Sequence, residues 1–589
     1  MLSKTEIRIL DLLPSSGLNN SDAPIQCQTR VVPFPTDIEF ETLSYVWGTV
    51  QDVTNISVDG NDVPITTNLA AVLRRVRLSD KIRTVWVDQL CINQQDEEEK
   101  AKQVSLMGRI YSTTSQCLIW LGEIGQDISL SDAQIALDFL HYLSEGRRKQ
   151  EGTSELSASV DFDSVEALRE PMRALYTIGL KNNPWWARMW TLQEAILPPK
   201  ACVLWGELSI QWEVLVSAAA RWVSLPYDPV MYAYNDALYN ILSQVRGFVF
   251  AKENRQGPLD TAFRWSFRNA SNPLDKVYGF IGLFPPGTLP RVRSCDYGLS
   301  RATLYAMFTA DLIECQKSLH PIALRCLRNL PESTPDIPRW ALDMGVSHIQ
   351  FSMTVDGNDC AWYLMSTYDC YNACGETTID WSRFRYDQIS NTLELTGYMV
   401  DSIVVAGPGP RSRIDEPDTS NVSRAGVVRL IQDWYGIAEE FYKSQPRHES
   451  TYDTNSFPDS FWKGLVGNIK VDPELFPEGE ATSEDIALAK KFVQTGIKNE
   501  IYESIFGNIA HRQMIITKTG LLGFGPNHAE VGDQVWILSG GKMPFVLRPS
   551  EGQSLSTNEL LFIGSSYIDG IMEGEAIELD KPATDIVLR

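Results

Sequence analysis

Four short apolar runs, at 41–46, 84–87, 117–121 and 201–205, are separated by longer stretches whose apolar residues recur at helical spacing. No other feature constrains the fold as much. Strands laid down one helix apart return in the same direction, so the pattern implies a parallel sheet with helices on both faces. Between the first two runs lies a short strand pair at 55–58 and 63–65, turned by Asp59-Gly60-Asn61-Asp62. Helices are expected at 68–78, with Leu69, Val72, Leu73 and Val76 on one stripe, at 97–113, and at about 131–145, 165–181 and 184–197. Acids open the 97–113 segment, where the helix dipole favours them. Sheets of this kind bind ligands at the carboxyl ends of their strands. Those ends are Trp47-Gly48, Asp88 and Gly122-Glu123.

At 589 residues the chain exceeds what one core supports, and two or three domains are expected. Residues 1–210 read as the α/β domain. Residues 211–385 read as mainly helical, broken by segments such as Phe284-Pro285-Pro286-Gly287. Residues 386–589 read as a small β-rich domain, with strands at 391–405 and within 514–580 and a helical insertion at about 420–512.

The net charge of −23 repels phosphate backbones, and no basic run overrides it, so nucleic acid is not an expected partner. No apolar stretch approaches the roughly 20 residues that span a bilayer, and residues 1–8 are too charged for a signal-peptide core. A cytoplasmic protein without a membrane anchor is expected. Most of the ten cysteines sit in apolar runs, as in Gln116-Cys117-Leu118-Ile119, and read as buried hydrophobes in a reducing compartment. The six histidines lie at no zinc-site spacing from the cluster Cys360, Cys370, Cys374, so no metal is expected.

Three clusters carry the candidate chemistry. They are Leu43-Ser44-Tyr45-Val46-Trp47-Gly48, Val85-Trp86-Val87-Asp88-Gln89-Leu90-Cys91-Ile92-Asn93-Gln94, and Asn183-Pro184-Trp185-Trp186-Ala187-Arg188-Met189-Trp190-Thr191-Leu192-Gln193-Glu194. In the third, Asn183 is a good N-cap, Pro184 a good first helical residue, and Pro198-Pro199 a stop. On one helix Trp185, Met189, Leu192 and Ile196 form the core stripe, and Glu194 lies about 180° from Trp185, beside Trp190. Glu194 would then oppose the helix dipole in the last turn, which marks it either as functional or as a solvated surface acid. Asp88 ends a buried strand, where it either faces the crevice or caps its own loop. No Walker loop, dinucleotide fingerprint or nucleophile elbow is present.

In this order the clusters resemble the heterokaryon-incompatibility (HET) domain of filamentous fungi. The resemblance rests on 44–48, Asn68-Leu69 with Leu73-Arg74, 86–94, Gln103-Val104 with Met107 and Ile110-Tyr111, Trp120-Leu121-Gly122, and 185–190 with Gln193-Glu194. It covers about residues 40–200. Further pieces resemble regions that accompany HET domains in large members: Asp275-Lys276-Val277-Tyr278-Gly279, Ile337-Pro338-Arg339-Trp340, Gly532-Asp533-Gln534-Val535, Pro544-Phe545-Val546-Leu547-Arg548, and 567–575.

The resemblance implies non-self recognition ending in growth arrest or cell death. It also implies a distant relation to TIR domains, which have a flavodoxin-like fold. Some TIR domains cleave NAD with a glutamate in the pattern Trp-Cys-x-x-Glu. Here Trp190-Thr191-Leu192-Gln193-Glu194 keeps the spacing, with Thr191 in the Cys position. Carried over, Glu194 is the candidate catalytic residue of an NAD glycohydrolase, and Trp47, Gly48, Asp88, Arg188 and Trp190 are candidate binding residues. NAD would be a substrate, and no bound cofactor is implied. The second reading is a non-enzymatic module that self-associates through the HET domain and answers to a protein partner. A third is a biosynthetic enzyme on the same scaffold, for which residues 211–589 offer no catalytic set.

Overall fold

A computed structural model describes residues 2, 5–15, 23–48, 51–146, 160–224, 229–253, 257–324, 336–345, 365–409, 424–444, 457–472, 476–509, 512–550, 558–577 and 582–589. Two units emerge: Met1–Gly287 with Arg293–Gly298, and Thr288–Val292 with Leu299–Arg589.

The first unit is built on a nine-stranded sheet, in the order β5-β4-β2-β1-β6-β3-β7-β8-β9. The strands are β1 (Glu6–Leu12), β2 (Gln26–Pro33), β3 (Glu41–Ser44), β4 (Val53–Val58), β5 (Asn61–Thr66), β6 (Arg83–Trp86), β7 (Cys117–Trp120), β8 (Ala201–Trp205) and β9 (Leu208–Gln211). The expected strands β3, β6, β7 and β8 run parallel to one another. The whole sheet is mixed, however, and this corrects the expectation of a parallel one. β1 runs antiparallel to β6 and β2, and β9 antiparallel to β8. β1 was hidden by its charges. Asp11 accepts from Arg30 (2.8 Å) and Thr84 (2.7 Å), and Arg8 donates to Glu99 (3.2 Å), so the charges at 8 and 11 each have a partner.

The helices are α1 (Thr67–Val76), α2 (Asp88–Cys91), α3 (Glu97–Thr113), α4 (Leu130–Ser144), α5 (Arg169–Thr177) and α6 (Thr191–Ile196). Then come α7 (Trp212–Ser224), α8 (Pro229–Ala233), α9 (Asn235–Lys252), α10 (Pro258–Arg264) and α11 (Asp275–Ile281). The α1 stripe Leu69, Val72, Leu73 and Val76 is buried, and Asp96 caps α3 by accepting from Glu98 and Glu99 N–H. The helices after residue 211 share the first unit's core. Phe248 of α9 stacks on Trp186 (centroids 6.2 Å apart) and on Trp265 (5.0 Å), and all three are buried.

The segment expected as one helix at 184–197 is two pieces. A 3-10 turn, Pro184–Ala187, is capped by Asn183, and α6 begins only at Thr191. Between them Arg188 is extended (φ −82°, ψ 138°). Its backbone pairs with residue 269: Asn269 N–H donates to Ala187 O (2.5 Å) and Met189 N–H to Asn269 O (2.9 Å). Two strand-type bonds across some eighty residues outweigh a local preference for helix, since a backbone pairs with whatever satisfies it. All six residues of α6 are buried, so the amphipathic reading of this segment fails.

In the second unit, helix Arg301–Gln316 precedes a β-rich region. β11 (Thr392–Ala406) is 15 residues long and bent by register shifts. It pairs with β20 (Thr584–Leu588), β16 (Gln534–Leu538) and β14 (Arg512–Thr517). β16 pairs with β17 (Phe545–Pro549), β17 with β18 (Glu559–Ser565) and β18 with β20, so five strands close into a ring. Arg548 on β17 reaches Asp533 before β16 (2.7 Å) and pins that hairpin. Between β11 and β14 lie helices Arg424–Ser444, Phe457–Leu465, Ser483–Thr495 and Tyr502–Ile509, where the insertion was expected. Their apolar faces, including Trp434, Phe461 and Phe492, pack with Met514 and Phe524 of the strands. Cys360 lies outside the described residues. Among the described residues no helix is long and apolar enough to cross a membrane, and no His, Cys, Asp and Glu cluster forms a metal site.

Candidate functional site

β3 ends at Ser44, and Ser44 is where the site begins. Its hydroxyl accepts from the Trp185 indole N–H (2.8 Å) and donates to the Glu194 carboxylate. The oxygen accepts from Trp185 while its hydrogen goes to Glu194, and each bond of the chain polarises the next. Glu194 is 2% exposed. It lies in the first turn of α6, where the dipole favours a negative charge, and not in the last turn of a longer helix. The first turn of α6 also supplies Thr191, whose hydroxyl donates to Arg188 O (2.7 Å).

Arg188 projects from the break before α6, and its guanidinium donates to Tyr45 O just past β3. Asp88 opens α2 at the end of β6. Its carboxylate accepts from the Trp47 indole (2.7 Å) and from Gln89 N–H (2.8 Å). One Asp88 side chain thus bonds both the residue that follows it and the indole that follows β3. Asn68 fixes that loop by donating to Val46 O (2.6 Å) while accepting from Trp120 (2.8 Å). Gly48 is exposed at φ +83°, a conformation that glycine adopts without strain.

Burial pushes the Glu194 carboxyl up to about 7, against the pull of Arg188, with Asp88 adding to the rise. Burial also raises Asp88, again opposed by Arg188 and by the Trp47 hydrogen bond. Asp88, Arg188 and Glu194 therefore act on one another, and Trp47 joins through Asp88. Gly48 and Trp190 stand apart. The Trp190 indole, half-buried, donates to Asp275 (3.2 Å), which also accepts from Tyr297 (2.8 Å). A carboxyl titrating near neutrality can accept or donate a proton, and as an anion it can stabilise an adjacent positive charge.

The stretch Asp275-Lys276-Val277-Tyr278-Gly279 braces this arrangement. Asp275 takes Trp190, and Tyr278 O and Gly279 O accept from the Gln193 side chain (3.3 and 3.0 Å). Gly279 lies against Met189, where a Cβ would sit 2.7 Å from Met189 Cγ. Two residues of the site escape the motif reading. Ser44 stands inside a quoted cluster, but nothing marks it as the partner of Glu194. Arg268, whose guanidinium donates to Arg188 O (2.9 Å) and Thr191 Oγ1 (2.6 Å), carries no sequence signal.

Residues 40–194 match the family described as Heterokaryon incompatibility protein (HET), and residues 476–585 match the Het-6 beta-barrel domain. A Neurospora crassa protein, Heterokaryon incompatibility protein 6, OR allele, is 25% identical over 97% of this chain and 94% of its own length. The chain thus carries a HET segment at residues 40–194. No solved structure matches it. The HET match opens immediately before β3 and ends on Glu194. The HET segment thus holds Ser44, Asp88, Arg188 and Glu194, while β1, β2, β8 and the 268–279 brace lie outside it. The barrel match likewise excludes β11, the strand that closes the ring.

Proposed function

We propose that this chain acts in heterokaryon incompatibility and that its HET domain hydrolyses NAD at Glu194. The observation that carries the reading is the place of the carboxyl. The parallel strands β6-β3-β7-β8, numbered in chain order, run 2-1-3-4, which is the flavodoxin-like order. Glu194 lies against the carboxyl end of β3, beside the point where that order reverses. This supports a TIR-like relation and puts the carboxyl where such sheets bind ligands.

The chemistry asks for one anion. The bond between nicotinamide and ribose C1′ breaks, its electron pair leaves with nicotinamide, and a positive oxocarbenium remains. The Glu194 carboxylate stabilises that charge. Water adds at C1′ and loses a proton, giving ADP-ribose. Asp88 and Trp47 would border the ribose, and Arg188 would meet a phosphate. Only the ionised acid serves, so turnover should rise with pH through about 7.

Purified full-length protein, assayed for NAD loss at high concentration, tests this. Turnover in the wild type and its loss in Glu194→Gln, with unchanged circular dichroism, is the expected result. One observation favours the scaffold reading: Glu194 is 2% exposed and already hydrogen-bonded. Under it neither protein consumes NAD, and blocking self-association abolishes function while Glu194→Gln does not.

A further inference from the structure

Arg268 is the most unusual charge in the first unit. Its side chain is completely buried, yet it forms no ion pair at hydrogen-bond distance. One nitrogen donates to Arg188 O and Thr191 Oγ1, while Nε and the other Nη have no partner. The guanidinium lies over aromatic faces, 4.7 Å from the Trp265 ring centre and 4.9 Å from that of Phe248. Ring faces attract a cation but do not neutralise it. An isolated buried charge is costly, so something must offset it. The anchor identifies what. Thr191 and Glu194 are three residues apart on α6 and share a face, and Arg268 grips Thr191.

We infer that Arg268 is a positioning residue that holds Glu194 in its ionised form. It lies beyond residues 40–194, so a charge from outside the HET segment adds to the pull of Arg188 on the HET carboxyl. Attraction to Glu194 in turn keeps Arg268 charged against the pull of burial, which lowers it to about 9. The other groups acting on or responding to Glu194 are Arg188, Asp88 from α2, Tyr45 after β3, Tyr111 of α3 and Cys117 of β7.

The test reads titration and does not depend on NAD hydrolysis. Glu194 holds its proton more tightly folded than unfolded. Stability therefore falls as pH rises from its ordinary 4.5 to about 7, and is flat above. Thermal unfolding of the full-length chain between pH 5 and 9 should show this fall in the wild type and lose it in Glu194→Gln. In Arg268→Gln the fall should extend to higher pH, and Arg268→Lys should restore much of the wild-type curve. An unshifted curve in Arg268→Gln overturns the inference. If that variant folds at low pH only, the inference is supported. If it folds at no pH, Glu194→Gln/Arg268→Gln decides: a folded double variant supports the coupling, and an unfolded one overturns it. Where the wild type turns over NAD, the acidic limb of kcat should move up in Arg268→Gln with KM little changed.

Discussion

Ser44 illustrates how one hydroxyl can hold a site together. Replacing it by alanine strips an acceptor from Trp185 and a donor from Glu194, both buried. The expected cost is about 1–3 kcal/mol, read by urea unfolding at pH 8, where Glu194 is ionised. At pH 5.5 the protonated carboxyl needs that donor less, so the cost should shrink. Little of this was legible in residues alone. Glu194 stood out as an acid on the wrong end of a helix, but that helix does not exist as one piece, and the carboxyl is unusual because it is buried. Trp47 and Asp88 were marked as candidates from the ends of two strands, and their side chains meet. Arg268 was invisible, because nothing in Ser266-Phe267-Arg268-Asn269 tells that it folds against residues 188–191.

Among the elements, those with local causes were readable. The α1 stripe, the acid-rich start of α3 and the parallel strands follow from spacing and capping. β1 and the break at Arg188 were not, since both depend on partners far along the chain. Two glycines separate close packing from open space. On α11, Gly279→Ala drives a methyl into Met189 and should destabilise by about 1–3 kcal/mol, lifting α11 from α6. Gly436, inside helix Arg424–Ser444, has nothing near its absent Cβ. Gly436→Ala should stabilise by about 0.5–1 kcal/mol, because alanine costs less to order in a helix. Both are measured by chemical denaturation of the full-length chain.

For the whole molecule, composition indicated more than one core, and an α/β region followed by a β-rich one was readable. The reach of the first core was not. A chain cut after residue 210 would lose Phe248 and Trp265 from the stack on Trp186 and the pairing of Asn269 with 187 and 189. Such a fragment is expected to aggregate or bind a hydrophobic dye. One ending at residue 298 should unfold cooperatively, and differential scanning calorimetry separates the two.

The closed ring of the second unit also imposes an order on synthesis. β11 emerges from the ribosome long before its neighbour β20, since Gly397 pairs with Thr584. At about 5–20 residues per second, that wait is on the order of ten to forty seconds. Throughout it β11 is a nascent strand with an open edge, and the helices made meanwhile can cover only the face they pack on. A premature stop codon just ahead of β20 would make that wait permanent, so even a loss of a few final residues should send the newly made chain to chaperones and proteases.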